Sequence, residues 1–289
     1  LSVAYNPWNF GDGKKMHLPN FLKGGLYQGA GKAVCVPGLN CYSCPAASGA
    51  CPIGSFQAVV GSSKFSFSYY ITGFLILLGV LLGRFICGFL CPFGWFQDLL
   101  HKIPTKKLST RKLKPLTYLK YAILLVMVFL LPAFLVNDVG MGDPFFCKYL
   151  CPQGVLEGAI PLSLANSGIR AALGSLFTWK FSILLAVIVL SVVFYRPFCK
   201  WLCPLGAFYA LFNRVSLFQI KVDKNKCVSC GKCAKACKMD VDVTKTPNHT
   251  ECIRCGMCIH ACPTGAVCFR YGFGSDKKTE KTAETSKKE

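Results

Sequence analysis

The feature that most constrains this chain is a pair of cysteine runs with identical C-x2-C-x2-C-x3-C spacing. The first run comprises Cys227, Cys230, Cys233 and Cys237, and the second comprises Cys252, Cys255, Cys258 and Cys262. In such runs the first three thiolates bind one [4Fe–4S] cluster and the fourth binds the other cluster. We therefore predict one cluster on Cys227, Cys230, Cys233 and Cys262, and a second on Cys252, Cys255, Cys258 and Cys237. Two identical runs favour this interpretation over a zinc ribbon or disulfides.

Residues 227–262 resemble the bacterial two-cluster ferredoxins, and the second run ends in the Cys-Pro step of that family at Pro263. Lys238 departs from the pattern, because proline usually follows the first run. The resemblance implies a small α+β domain with two clusters, which we place at 214–273. A basic tail, 274–289, is expected to be disordered because it is rich in Lys, Glu, Thr and Ser.

The rest of the chain is too apolar for an ordinary soluble domain, since 53% of the 289 residues are hydrophobic and 16% are charged. Three apolar runs, at 67–86, 118–136 and 175–195, are each long enough to cross a hydrocarbon core of about 30 Å as a helix. Residues 155–166 are apolar but too short to span, so we expect an interfacial or re-entrant segment there. The predicted fold is a membrane α-helical domain, 67–213, with about three transmembrane helices.

The distribution of charge predicts how the chain lies in the membrane. The formal net charge of +20 is concentrated in loops and in the tail, which argues against nucleic acid as a partner. Six basic residues lie between the first two apolar runs: Lys102, Lys106, Lys107, Arg111, Lys112 and Lys114. By the positive-inside rule, this loop and the ferredoxin domain are cytoplasmic, and the N-terminal segment, 1–66, is extracytoplasmic. We thus expect a multi-pass protein of the cell membrane, with lipid around it.

A second cysteine pattern, C-x3-C-P-x-G, occurs three times outside the ferredoxin region. The pairs are Cys87 and Cys91, Cys147 and Cys151, and Cys199 and Cys203. Cysteines four residues apart lie on one helical face and can present two thiolates to one centre. Buried free thiols are the alternative for any single pair. Because two pairs follow apolar runs on the predicted cytoplasmic side, we predict a third [4Fe–4S] cluster on Cys87, Cys91, Cys199 and Cys203.

Six cysteines remain on the predicted outer side: Cys35, Cys41, Cys44, Cys51, Cys147 and Cys151. Our preferred set for a fourth cluster is Cys44, Cys51, Cys147 and Cys151, with Cys41 or Cys35 as alternative ligands. A second option uses Cys35, Cys41, Cys44 and Cys51 alone. The leftover pair would form a disulfide in an oxidising compartment. Cys268 receives no role, and the expected total is four clusters.

Residues 83–94 and 195–206, with the ferredoxin region behind them, resemble the membrane polyferredoxins of the NapH and NosR type. That resemblance covers residues 67–270 and implies an electron-transfer subunit of a membrane redox complex. Its other partners would be a cytosolic electron donor or acceptor and an extracytoplasmic acceptor, in some cases a flavoprotein. The Cys147/Cys151 copy and the N-terminal cysteines depart from the family pattern, so the partner and the substrate do not transfer directly.

Other cofactor and catalytic motifs are missing from the sequence. It contains no C-x-x-C-H, and none of its four histidines lies within an apolar run, so we expect no haem. His101 and Asp98 are candidates for a quinone site, because they follow the Cys91 turn and can exchange protons. We predict an electron conductor without substrate chemistry of its own, within an oxidoreductase complex. The alternatives are a quinone oxidoreductase subunit and a membrane redox sensor or maturation factor.

Overall fold

The computed structural model describes residues 32, 34–45, 47, 49–62, 69–137, 142–171 and 173–272, without the side chains of residues 111 and 112. Most of the predicted N-terminal segment and the whole predicted tail lie outside the described residues. The start of the first apolar run, 67–68, lies outside them as well.

Helices in the first part of the described chain are short, and two of them, α1 and α4, begin at Cys-Pro steps. They are α1 (Pro52–Gly61), α2 (Tyr69–Leu82), α3 (Phe85–Phe89) and α4 (Pro92–His101). Cys51 and Cys91 have extended backbone and precede the proline that begins α1 and α4. Proline suits the first helical turn because its missing N–H would have no partner there. Each Cys-Pro step therefore turns the chain and starts a new helix.

Two of the described helices are long and apolar enough to cross a membrane. They are α5 (Leu113–Phe134, 22 residues) and α9 (Ser175–Val193, 19 residues). Several of their apolar side chains are exposed, among them Leu125, Leu185 and Val189, as expected of helices that face lipid. The predicted span at 67–86 is shorter in the described residues, because α2 has 14 residues and ends at Leu82, just before Gly83, whose φ is +55°. Three transmembrane helices are thus not confirmed.

Short helices fill the space between the long ones. They are α6 (Phe146–Leu150), α7 (Gly154–Ala165), α8 (Ser167–Ala171), α10 (Pro197–Trp201) and α11 (Pro204–Phe212). The predicted short segment at 155–166 corresponds to α7. Helix α11 is buried from Pro204 to Ala210, although it has only nine residues. The cysteines of the four Cys-Pro steps outside the ferredoxin region, Cys51, Cys91, Cys151 and Cys203, are all buried.

The ferredoxin region is a small α+β unit at the end of the helical part. Strands β1 (Phe218–Val222) and β2 (Val267–Tyr271) pair antiparallel, with Phe218 opposite Tyr271 and Val222 opposite Val267. Helices α12 (Lys232–Ala236) and α13 (Met257–His260) contain the third cysteine of each run, Cys233 and Cys258. The mostly helical fold with a two-stranded sheet agrees with the predicted fold class.

Candidate metal centres

The first ferredoxin set comprises four cysteines that line one small cavity: Cys227, Cys230, Cys233 and Cys262. The last of them comes from the second cysteine run, as the spacing predicted. The loop that carries the first three turns through left-handed backbone at Ser229 (φ +53°) and Gly231 (φ +70°). Such turns point successive groups to the same side of the loop, and this gives the cavity its lining of sulfur atoms.

The second ferredoxin set comprises Cys237, Cys252, Cys255 and Cys258. Its loop repeats the same backbone, with Arg254 at φ +54° and Gly256 at φ +79°. Burial and the charges of Cys252, Cys255 and Cys237 raise the pKa of Cys258 to about 12. A thiol surrounded by three other thiols releases its proton only when a cation compensates the charge, as iron does.

The Cys91 set comprises Cys87, Cys91, Cys199 and Cys203, and all four are buried. Burial is the main cause that raises the pKa of Cys91 to about 12, and the charges of Cys199 and Cys87 add to it. The two C-x3-C-P-x-G copies therefore meet in one place. Two reciprocal hydrogen bonds join the helices α3 and α10 that carry these cysteines. Arg84 Nη2 donates to Cys199 O at 3.3 Å, and Arg196 Nη1 donates to Cys87 O at 2.5 Å.

The Cys51 set comprises Cys41, Cys51, Cys147 and Cys151. Burial, followed by the charge of Cys51, raises the pKa of Cys151 to about 12, and the charge of Cys41 contributes to it. Cys41 also packs on α7, where its Sγ lies 3.8 Å from the position that a Cβ would occupy on Gly154 and 3.7 Å from that on Gly158. Two separate contacts thus place Cys41 within this set.

Cys44 and Cys35 are the remaining N-terminal cysteines. The backbone N–H of Cys44 donates to Cys41 O at 3.1 Å, and the charge of Cys44 acts on Lys32. Cys35 is buried and pairs with Ala50 in an isolated parallel bridge. Of the fourth ligands left open by the sequence, the structure brings Cys41 to Cys51, Cys147 and Cys151. Cys268 lies exposed on β2, and none of the 19 cysteines, all of which the structure describes, forms a disulfide.

These donor sets fit [4Fe–4S] clusters. Among the described residues, no three His, Cys, Asp or Glu side chains converge to hold a single metal ion. The ligands of a cubane each bind a different iron and therefore stand farther apart than the ligands of one ion. Each set offers four thiolates, which is the complete protein ligand shell of such a cluster.

Residues 38–40 join the Cys91 set to the Cys51 set. The backbone N–H of Leu39 bonds to the thiol of Cys91, and the next N–H, of Asn40, bonds to the thiol of Cys51. We expected these two sets on opposite sides of the membrane, but adjacent amides reach both. Loop charges predict which side a segment approaches, whereas they carry no information about how deeply its turns enter the protein.

The second ferredoxin set is fixed against the Cys91 set. A Cβ on Gly88, which follows Cys87, would lie 2.8 Å from the carbonyl oxygen of Ile253. Arg254 is fully buried, and its guanidinium donates to Leu82 O at 2.8 Å and to Asn213 O at 2.7 Å. The loop that carries Cys252 and Cys255 thereby covers the carbonyl ends of α2 and α11, where the last carbonyl groups have no partner within the helix.

The two quinone-site candidates have different surroundings. Asp98 accepts hydrogen bonds from Arg196 at 2.8 and 2.5 Å, so its carboxylate is held in an ion pair. His101 lines a cavity of about 420 Å³ together with Tyr195 and four lysines, Lys107, Lys200, Lys235 and Lys238. Its Nδ1 lies 3.3 Å from Ser191 O.

Two glutamines contact cysteine sulfur, and the motif search passed over them. Gln57 Nε2 lies 3.2 Å from Cys147 Sγ, and Gln97 Nε2 lies 3.1 Å from Cys199 Sγ. Each glutamine is the sixth residue after the cysteine of a Cys-Pro step. The same position in the other two copies holds Glu157, which accepts from Cys41 N at 3.1 Å, and Tyr209, which donates to Pro37 O at 3.0 Å. Extending the repeat by three residues would have revealed this position.

Comparison with known proteins matches the regions that carry these sets to 4Fe-4S binding domains. A 4Fe-4S binding domain family matches residues 66–111, 120–160 and 176–225, and another family of the same description matches 220–241 and 246–268. The uncharacterized protein MJ0750 of Methanocaldococcus jannaschii is 31% identical over 209 residues, 69% of this chain and 77% of that protein. The putative electron transport protein YccM of Escherichia coli is 26% identical over 180 residues, 59% of this chain and 45% of that protein. The methylamine utilization ferredoxin-type protein MauN of Paracoccus denitrificans is 30% identical over 166 residues, 57% of this chain and 50% of that protein.

No solved structure matches the chain. The ferredoxin-type protein NapH of Haemophilus influenzae and the regulatory protein NosR of Stutzerimonas stutzeri also match, so the resemblance drawn from residues 83–94 and 195–206 is confirmed. The cysteine sets and the matched domains together define an iron–sulfur protein with a role in electron transfer. The chain belongs to the family with this 4Fe-4S binding domain, which includes the ferredoxin-type proteins named above.

Proposed function

We propose that this chain is a membrane electron-transfer subunit that relays electrons across the bilayer through four [4Fe–4S] clusters. A cluster at each set would take up and release one electron, so a reduced carrier at one end loses one electron and an acceptor at the other gains one. The proposed ligands are the two ferredoxin sets, the Cys91 set and the Cys51 set, with Cys41 as its fourth ligand. The observation that carries the proposal is the continuous row that these four sets form.

Each neighbouring pair of sets is joined by protein atoms in contact. The two ferredoxin sets exchange cysteines between their runs. Gly88 against Ile253 joins the second ferredoxin set to the Cys91 set, and residues 38–40 join that set to the Cys51 set. Because tunnelling weakens steeply with distance, tight packing along the row favours transfer from one set to the next.

The helices next to the last two sets also contact α9, one of the two helices long enough to cross a membrane. Lys180 of α9 donates to Cys147 O at 3.0 Å, whereas Ser191 O near its other end contacts His101 of α4. Eleven residues separate these two positions, about 17 Å along a helix axis. Contacts of these flanking helices at two levels of a membrane-crossing helix support transfer across the bilayer.

The positive loop charges give the proposed orientation. We place the ferredoxin domain in the cytoplasm, where a soluble carrier would donate or accept electrons, and the Cys51 set toward the other face. The partners there would be other subunits of a redox complex and an extracytoplasmic acceptor such as a flavoprotein. YccM and NapH are described as an electron transport protein and a ferredoxin-type protein, which agrees with such a role.

Vesicles that contain the purified chain with its ferredoxin domain outward test this proposal. Dithionite outside should reduce ferricyanide trapped inside, and Cys91→Ser should slow this reduction strongly. Cys268→Ser is the matched control, because Cys268 is exposed on β2 and belongs to none of the sets. The proposal of transmembrane transfer would be overturned by one result. In that result the clusters become reduced, but the trapped ferricyanide is reduced no faster than in protein-free vesicles.

One observation favours quinone reduction as a second candidate function. The cavity beside His101 is within the size range of small-molecule sites and is lined by lysines that would stabilise an anionic quinol. Burial, with the charge of Lys107 nearby, lowers the pKa of His101, so its imidazole is neutral and able to accept a proton. Because Asp98 is held by Arg196, we assign proton exchange to His101 alone. His101→Ala should abolish quinone turnover with all clusters retained, and unchanged turnover would exclude this candidate.

A further inference from the structure

We propose that Gln57 and Gln97 raise the reduction potentials of the clusters at the Cys51 and Cys91 sets, by donating hydrogen bonds to one thiolate in each. The inference rests on the proposed function, because it requires clusters at both sets. It assigns to two glutamines a role in setting cluster potentials that the cysteine motifs do not predict.

The orientation of each side-chain amide is fixed by chemistry. A backbone N–H can only donate, and Phe146 N lies 3.0 Å from Gln57 Oε1, while Phe198 N lies 3.2 Å from Gln97 Oε1. The NH2 group of each glutamine must therefore be the end that faces sulfur. An amide turned the other way would place two acceptors together and leave a backbone donor without a partner.

The two donors of each NH2 group have separate partners. Gln57 Nε2 lies 3.3 Å from Ile53 O, one helical turn earlier, and Gln97 Nε2 lies 3.3 Å from Phe93 O. The other N–H of each group faces Cys147 Sγ or Cys199 Sγ at about hydrogen-bond distance, 3.2 and 3.1 Å. Both glutamines are fully buried, so water does not compete for the sulfur.

The same arrangement occurs in both the Cys51 set and the Cys91 set. In both sets the glutamine is carried by the helix that follows one Cys-Pro step, and it bonds the first cysteine of the partner C-x3-C pair. It also binds the N–H directly before that cysteine, which fixes the position of the thiol. Reduction increases the negative charge on a thiolate ligand, and a hydrogen bond to sulfur stabilises the more negative form. Each glutamine should thus favour the reduced state of its own cluster.

Redox titration of the full chain, followed by EPR, tests this inference. Gln97→Leu should lower the midpoint potential of the signal from the Cys91 set, and Gln57→Leu should lower that of the signal from the Cys51 set. We call these two sets the half-site sets and their signals the half-site signals. Gln219→Leu, on β1, should leave both potentials unchanged and serves as the matched control. Gln97→Glu keeps the shape and still accepts from Phe198 N, but its carboxylate cannot donate to sulfur, so it should also lower the potential.

The outcomes separate this inference from the function on which it rests. Unchanged potentials in Gln97→Leu and Gln57→Leu, with both signals present, would overturn the inference and leave the relay intact. Loss of the signal in both Gln97→Leu and Gln97→Glu would also overturn it, because the glutamine would then be a structural support. A wild-type chain with ferredoxin signals alone would instead refute the proposed function.

Discussion

Lys120 of α5 holds Glu251 of the ferredoxin domain, with Nζ 2.5 Å from one carboxylate oxygen and 2.6 Å from the other. Arg84 binds the same carboxylate at 2.8 Å, and neither basic side chain is exposed to solvent. Since Glu251 directly precedes Cys252, this buried triad connects a long apolar helix to a cluster-binding loop. A rigid connection of this kind keeps the distance between neighbouring cysteine sets constant.

Glu251→Gln should destabilise the contact between the ferredoxin domain and the helices. Two buried cations would lose their counter-charge, and breaking a buried pair in this way costs about 3–5 kcal/mol. The midpoint of thermal unfolding in detergent measures the effect. Asp143→Asn is the matched control, because it breaks an exposed pair with Lys148 and should change the midpoint little. Equal midpoints for Glu251→Gln and Asp143→Asn would show that the triad does not hold the domain.

Cys41→Ser should remove the cluster of the Cys51 set and lower the iron content by about four atoms per chain. The reason is that the charge of Cys41 acts on Cys51, Cys147 and Cys151, and its Sγ packs on α7. Cys44→Ser is the control and should retain its iron. Iron analysis of the two purified variants distinguishes the ligands, and the reverse pattern would assign the ligand role to Cys44.

Gly38→Ala should disrupt the junction between the Cys91 and Cys51 sets. A Cβ at this position would lie 2.8 Å from Leu90 O and 2.9 Å from Cys91 Cα, and neither backbone atom can move away easily. Overpacking of this kind costs about 1–3 kcal/mol. EPR should show weaker half-site signals with the ferredoxin signals retained. Gly73→Ala, where a Cβ meets nothing within 4 Å, is the control. Half-site signals as strong in Gly38→Ala as in Gly73→Ala would refute this role of residues 38–40.

Leu185→Arg should reduce the fraction of the chain that integrates into membranes. Leu185 lies on the exposed side of α9, and an arginine at the centre of a transmembrane helix costs about 2.5–3.5 kcal/mol. Val228→Arg replaces an exposed apolar residue of the ferredoxin domain and should have no such effect. Carbonate extraction of membranes measures integration. Equal extraction of the two variants would contradict the assignment of α9 as a membrane helix.

The cysteine spacing predicted the ferredoxin region well, because neighbouring thiolates on a short loop are constrained by local geometry. It also paired Cys87 and Cys91 with Cys199 and Cys203, which the structure brings together. It did not predict that Leu39 and Asn40 would bring the two half-site sets side by side. That contact joins segments about fifty residues apart, and neither periodicity nor charge describes such long-range packing.

The buried polar residues escaped the sequence argument for a related reason. No recognisable motif marks the four buried residues Arg84, Arg196, Gln57 and Gln97. Their positions become informative only when the repeats are aligned on their Cys-Pro steps. Arg84 and Arg196 each precede the first cysteine of a pair by three residues. Arg84 donates to the carbonyl oxygen of Cys199, and Arg196 donates to that of Cys87, so each arginine bonds to the pair that follows the other arginine. A single repeat therefore predicts ligands, whereas aligned repeats predict the residues that support those ligands.

The most direct test of the account is the iron and acid-labile sulfide content of the purified full chain, measured together with its EPR spectrum. Four occupied cysteine sets require about sixteen irons per chain and more than the two ferredoxin-type signals. A content of about eight irons, with signals from the ferredoxin domain alone, would contradict the row of four clusters and with it the proposed relay.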